Sequence, residues 1–190
     1  MADGPKIGSG SPWGRVQDVT LLADGIWSVS TAGHGGLKLD AGRNSKVPQY
    51  MRSPGGWYEE DCEWSIPVVV HGGSFPEELV GKALETLRNW FPDQYQAYTG
   101  ETPRDGESSV LDERRFRERH GDEYIARAAW GDWHDAVPSG MVAVYATVGG
   151  AGDDGGTGAY FLVPAPEYQE RGRFGFVVDP ARHRRIGKID

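Results

Sequence analysis

Between Ser74 and Phe91, apolar side chains fall at Leu79, Val80, Ala83, Leu84, Leu87, Trp90 and Phe91, the spacing that lays a stripe along one side of an α-helix. The run opens on Ser74-Phe75-Pro76-Glu77, which has the spacing of a capping box with proline near the first helical position, and Pro92 closes it. The pattern predicts a helix from about Pro76 to Trp90, with a further turn over Asp93 to Tyr98. A helix with one apolar stripe must bury it against another layer, so the remaining elements have to supply one.

The flanking segments supply strands. Arg15 to Leu22 alternates loosely, Ala23-Asp24-Gly25 carries turn chemistry, and Ile26-Trp27-Ser28-Val29-Ser30 alternates apolar with small polar residues, which reads as an antiparallel hairpin. Leu37-Lys38-Leu39 reads as a third short strand, so His34 falls on the glycine-rich loop that precedes it. Toward the carboxy terminus, Met141 to Val148, Ala159 to Val163 and Phe174 to Val178 read as strands, whereas Ser108 to Ala129 reads as a second helical region divided near Gly121. The expected fold class is α+β: a single domain in which the hairpin and the carboxy-terminal strands share one twisted antiparallel sheet, with the helices of 76–130 on one face. Trp27, Trp64, Trp90 and Trp130 are the expected core tryptophans.

Two stretches are less regular. Residues 41–52 allow only a short helix because of Asn44 and Pro48, with Val47 and either Tyr50 or Met51 buried. From Glu60 to Val70, Cys62, Trp64, Ile66, Val68 and Val70 keep a period of two, while the acidic start suits a helix amino terminus and Pro67 is awkward in both. The expectation is a mixed element, helical or irregular first and then extended. Residues 1–12 read as a flexible arm, 13–180 as the domain, and 181–190 as a basic tail.

With 38% hydrophobic residues and seven tryptophans, a chain of 190 residues can bury a core despite a mean hydropathy of −0.55. No apolar run is long enough to span a membrane, and the start Met-Ala-Asp-Gly-Pro-Lys lacks a signal-peptide pattern, so a cytoplasmic location is expected. The lone Cys62 excludes an internal disulfide and a cysteine-based zinc site. A net charge of −8 disfavours direct nucleic-acid binding. That charge is uneven: residues 171–190 sum to +4, leaving −12 on the remainder. The glycine-rich stretch Gly149 to Gly158 lacks the Lys-Ser/Thr ending of a phosphate-binding loop and carries two aspartates, so it reads as a hairpin connection.

The candidate chemistry lies between Gly33-His34-Gly35-Gly36 and Gly55-Gly56-Trp57-Tyr58-Glu59-Glu60-Asp61-Cys62-Glu63-Trp64. Cys62 and His34 form a conceivable nucleophile and base, but the neighbouring acids raise a thiol pKa and suppress the thiolate. His34 with Glu59, Glu60 or Asp61 offers imidazole and carboxylates, the donors of a zinc, manganese or iron site, although the usual histidine pair at helical spacing is missing. The same groups suit acid–base work, with His34, Glu59 and Glu60 as the catalytic set. Against both stands a structural reading, in which the acids stabilise a helix start and the glycines permit a tight loop. A second cluster, Asp132-Trp133-His134-Asp135, reads as the turn into the strand at Met141.

The order Ser11-Pro12-Trp13-Gly14, Val29-Ser30-Thr31, His34-Gly35-Gly36, Val47-Pro48 and Gly56-Trp57-Tyr58-Glu59-Glu60-Asp61-Cys62-Glu63-Trp64, continued by Val137 to Val142, Tyr160 to Pro164 and Phe174 to Asp179, resembles an uncharacterised domain family of bacteriophages, conjugative plasmids and other mobile elements. No reaction comes with the resemblance; it implies a setting in which small accessory proteins act on host machinery. One expectation is therefore a stoichiometric inhibitor that occludes a host protein or nucleoprotein defence complex, of anti-CRISPR or anti-restriction type, binding through Trp57, Tyr58 and Asp61 and needing neither metal nor cofactor. The alternative is a small hydrolase or group transferase that uses His34 with Glu59, Glu60 or Asp61, with or without a metal and with a nucleotide among its possible substrates.

Overall fold

The computed structural model describes residues 4–152 and 158–189. The first three residues of the expected arm, Asp153 to Thr157 of the glycine-rich connection, and Asp190 of the basic tail lie outside the described residues. The fold is α+β, with antiparallel pairing throughout its sheets, and it divides into two compact units, Met1–Leu111 and Asp112–Asp190.

The first unit begins with a small hairpin, β1 (Gly10–Ser11) against β2 (Gly14–Arg15), so regular structure starts inside the segment read as an arm. Its backbone is tied down further by Gly8 N–H to Val16 O at 2.8 Å, and the Val16 side chain is buried. A four-stranded sheet follows, in the order β3 (Asp18–Ala23), β4 (Ile26–Ser30), β5 (Gly35–Leu39) and β6 (Trp57–Glu59). The Asp24-Gly25 turn joins β3 to β4 as the sequence implies, with Gly25 at φ 74°. Between β5 and β6 lie the short helix α1 (Ala41–Ser45), capped by the Asp40 carboxylate on Arg43 N–H, and a tight turn over Gln49–Met51. There Val47 and Met51 are buried, while Tyr50 faces solvent.

Pairing places Ile26 opposite Leu39 and Leu37 opposite Tyr58, so one face of the sheet is apolar. That face forms a core with Ile66, Val68 and Val69 of α2 (Ser65–Val70) and with Ala83 and Leu87 of α3 (Glu77–Trp90). After α3 comes α4 (Pro92–Thr99), which buries Tyr95. For Glu60 to Val70 the irregular first half agrees with the expectation, but the second half is the helix α2 and is extended nowhere. Pro67 is compatible with this, since it occupies the third position of α2, where an N–H has no intrahelical acceptor to lose. Nor does Ser74 cap α3; its Oγ accepts from Arg43 Nη1 at 3.4 Å instead, and Pro76 takes the cap position.

The unit boundary falls within α5 (Ser109–Arg119). The second unit is built on a five-stranded sheet ordered β10-β7-β8-β9-β11, from β7 (Tyr124–Trp130), β8 (Met141–Val148), β9 (Ala159–Pro164), β10 (Val177–Val178) and β11 (Arg184–Ile186), with α6 (Ala165–Gln169) after β9. Tyr124 to Ala129 is thus a strand and not the end of a helix. Its alanines favour a helix intrinsically, but pairing with β8 on one side and β10 on the other decides the outcome. The expected single sheet is likewise two sheets: the amino-terminal hairpin and the carboxy-terminal strands share no pairing among the described residues. The basic tail contains β11, and His183 is buried, accepting Asp179 N–H at Nδ1 (3.0 Å) and meeting Glu167 through Nε2 (3.1 Å). Trp64 and Trp130 flank apolar clusters, whereas Trp90, expected in the core, is the last residue of α3 and is 47% exposed, and Trp27 is only partly buried.

His71, at the end of α2, is 93% removed from solvent (7% exposed), and its Nε2 has no hydrogen-bond partner among the described residues. Burial, reinforced by the Arg43 charge, lowers its pKa below the ordinary 6.5. Its neutral form is therefore favoured on folding, so the unfolded chain binds more protons once the pH falls below 6.5. The stability that depends on neutral His71 is complete above that value and is lost as the pH falls through it toward the folded pKa. In urea denaturation, His71→Leu is expected to flatten this part of the stability–pH profile, and a slope unchanged by the substitution would refute the assignment.

Candidate functional site

The loop Thr31-Ala32-Gly33-His34 closes β4 onto β5, and its backbone is pinned. Thr31 N–H donates to His34 O at 2.8 Å, while the Thr31 hydroxyl lies 2.9 Å from His34 O and 3.3 Å from His34 N. The His34 side chain, in contrast, is 61% exposed. Across the sheet, β6 ends at Glu59, opposite Gly36, and the next residue, Glu60, still donates its N–H to Gly35 O at 3.0 Å. Strand pairing thus brings a loop residue near position 34 to a turn near position 60. One ligating atom each of His34, Glu59 and Glu60 can be chosen so that all three lie within 4.8 Å of one another.

The two glycines after His34 serve the protein's own side chains. A Cβ at Gly35 would lie 2.6 Å from the Glu60 carboxylate, and one at Gly36 would lie 2.1 Å from Tyr58 O and 2.6 Å from the Trp13 ring. Gly35 therefore lets the Glu60 carboxylate lie against the backbone, and Gly36 lets Trp13 cover the other side. Trp13 in turn meets Trp57 edge-on at 5.6 Å, and Lys38 Nζ sits 5.0 Å above the Trp57 ring.

Part of the acidic run is structural. Glu59 Oε2 accepts Asp61 N–H at 2.7 Å, Glu63 Oε2 accepts Glu59 N–H at 3.2 Å, and Trp64 N–H donates to Glu59 O at 2.8 Å, which knits the turn leading into α2. Glu59 Oε1 is different: it is sealed from solvent, has no hydrogen-bond partner among the described residues, and lies 3.8 Å from His34 Nδ1. Asp61 is exposed and contributes its backbone rather than its carboxylate to this arrangement. Tyr58, expected as a binding residue, is fully buried; its hydroxyl donates to Asn44 Oδ1 at 2.7 Å and accepts Ser53 N–H at 3.2 Å, so it belongs to the core. Cys62 is a free, partly buried thiol whose pKa is raised first by burial and then by the Asp61, Glu59 and Glu63 carboxylates, an unfavourable setting for a nucleophile. His134 belongs to the second unit, where its Nδ1 accepts Ala136 N–H at 3.2 Å and Asp132 accepts Gly140 N–H at 3.0 Å, in keeping with a turn.

Beside the cluster the first unit holds a cavity of about 360 Å³, and Glu60 is in its lining. The other walls are largely apolar, with Leu22, Leu37, Trp64, Phe75 and Leu79 among them. The space has a cause in the sequence: along β4, Ile26 fills the core, but Ser28 and Ser30, two and four residues on, share its face and leave volume beside it. The alternation was visible in the sequence, while the contribution of Phe75 and Leu79 depends on how α3 packs.

The family model described as "Domain of unknown function (DUF7007)" matches residues 6–121, more than half of the chain, including His34, Glu59 and Glu60. None of the curated proteins matches the chain, and none of the solved structures does.

The geometry separates architecture from exposed chemistry. Gly36→Ala is expected to destabilise the protein by about 1–3 kcal/mol, because the added methyl meets backbone and an aromatic ring rather than a yielding side chain. His34→Ala is expected to change stability by no more than about 0.5 kcal/mol. Chemical denaturation of both variants measures the contrast.

Proposed function

We propose that this chain, which belongs to the DUF7007 family of domains of unknown function, binds a small and largely apolar molecule in the first-unit cavity and acts on its polar end through His34, Glu59 and Glu60. One observation carries the reading: Glu60 lines the cavity and is at the same time a member of the cluster with His34 and Glu59. An apolar pocket of a few hundred Å³ with a few convergent polar groups is the usual form of a small-molecule site. A carboxylate pair beside an imidazole can bind a cationic group or transfer a proton, which suits a small hydrolase or group transferase. The apolar walls favour a ligand that offers an uncharged body to Trp64, Phe75 and Leu79.

Thermal-shift screening of a small-molecule library tests this. Compounds that raise the melting temperature are expected to lose their effect in Ser28→Phe, which fills the cavity, and those with a cationic end are expected to lose it in Glu60→Gln. Stabilising compounds indifferent to both substitutions would count against the site.

A second reading is favoured by a different surface. Leu21 is 63% exposed and Leu22 is also exposed on β3, an edge strand, where a partner can pair with the free backbone and cover the leucines. Together with the resemblance to mobile-element proteins and the net charge of −8, this supports a stoichiometric inhibitor of a host defence complex, of anti-CRISPR or anti-restriction type, acting in the host cytoplasm. Under it, Leu21→Asp abolishes capture of the host complex and the inhibitory phenotype, whereas His34→Ala and Glu60→Ala leave both intact. The small-molecule reading expects the reverse.

A further inference from the structure

We infer that His34, Glu59 and Glu60 bind a divalent first-row transition ion of the zinc or manganese type. The inference deepens the small-molecule reading and rests on the same cluster, although the ion does not require an occupied cavity. It takes the metal-dependent form of the enzyme alternative that the sequence left open, whereas the inhibitor expected from sequence needs no metal.

Three observations converge. The donor atoms come from one imidazole and two carboxylates within 4.8 Å of one another. Around an ion with bonds of about 2.0–2.2 Å, donors stand roughly 3–4 Å apart, so the exposed His34 and Glu60 side chains need only a small rotamer adjustment to close on it. Glu59 Oε1 is a solvent-sealed acceptor without a hydrogen-bond partner among the described residues, although its twin Oε2 is held by Asp61 N–H. A carboxylate oxygen kept dry and aimed toward an imidazole nitrogen 3.8 Å away is stabilised by positive charge placed between them. The backbone under all three donors is fixed as well: His34 by the Thr31 bonds, Glu59 by pairing opposite Gly36, and Glu60 by its N–H on Gly35 O. A site whose scaffold is already formed loses little conformational entropy on binding.

The donor set also selects the ion. Calcium and magnesium take oxygen shells, whereas an imidazole nitrogen with two carboxylates suits zinc or manganese. The nearby Cys62 thiol is not one of the three donors. Three protein donors leave a four-coordinate ion one position for water or for the polar end of a ligand. With Glu60 also in the cavity wall, that position adjoins the apolar space.

Isothermal titration of the chelator-treated full chain with ZnCl₂ and with MnCl₂ tests the inference. Saturable binding of one ion per chain is expected for at least one of the two metals. His34→Ala and Glu60→Gln are each expected to weaken it by roughly tenfold or more, the scale seen even for residues that only support metal ligands. Asp61→Asn removes a neighbouring charge without removing a donor and is expected to leave affinity within a factor of a few, which separates coordination from general attraction. Absence of saturable binding by both ions overturns the inference. So does affinity that survives both ligand substitutions, or that falls as far in Asp61→Asn. Ser28→Phe is expected to retain the ion while losing small-molecule binding, so failure of the metal site and failure of the cavity reading are read separately; circular dichroism confirms that each variant is folded.

Discussion

The central strand β5, hydrogen-bonded to β4 on one side and β6 on the other, carries the first unit, and its sequence Gly35-Gly36-Leu37-Lys38-Leu39 assigns each position a separate task. Leu37 and Leu39 face the core, where they meet Tyr58 and Ile26 across the sheet. Lys38 points the other way, over Trp57. The two glycines then remove side chains where Glu60 and Trp13 must lie against the strand. A methyl at either position meets an atom closer than packed atoms approach, so the cluster at His34 and the aromatic cover at Trp13 both depend on this dipeptide. Core and site are thus built from the two ends of one short strand, and the register that buries Leu37 also sets Glu59 opposite Gly36.

How much of this was legible in the sequence depended on whether a residue's role is local. The α3 helix, the hairpin about Asp24-Gly25 and the strands β8 and β9 follow from periodicity and turn chemistry, and all lie where the sequence implies. Residues 124–130 and 65–70 reverse the expectation because their states are decided by neighbours far along the chain. An alanine-rich run becomes a strand between β8 and β10, while an alternating Cys-Trp-Ile-Val pattern becomes a helix that packs on α3. Such runs carry both periodicities weakly, and burial chooses between them.

For the site, His34, Glu59 and Glu60 were identifiable as residue types and are close in space, whereas the reason for their glycines was not. In the sequence, Gly35 and Gly36 imply close approach of something to the backbone; in the structure that something is the chain itself. Tyr58 and Asp61 show the same limit from the other side. They stand within one motif, but strand alternation in β6 sends Tyr58 into the core, while Asp61 lies in the turn beyond the strand and stays at the surface. The cavity was least legible, since Leu22, Phe75 and Leu79 come from three separate elements or connections, and only the small residues Ser28 and Ser30 leave a trace in the sequence.

Most of the acidic turn after β6 can be explained by folding alone, which makes the remainder informative. Glu63 and Glu59 Oε2 satisfy backbone N–H groups, the role that acids take at the entrance to a helix. Glu59 Oε1 and the Glu60 carboxylate satisfy none of the backbone groups in this turn. Leaving a buried acceptor such as Glu59 Oε1 without a partner costs about 1–3 kcal/mol. Nothing in the geometry of the turn requires a carboxylate at position 60, because a neutral residue there would still donate its N–H to Gly35 O. An unpartnered, sealed carboxylate oxygen 3.8 Å from an exposed imidazole is the one buried feature of this turn that its own folding leaves unexplained, and it is the feature on which the proposed ion site rests.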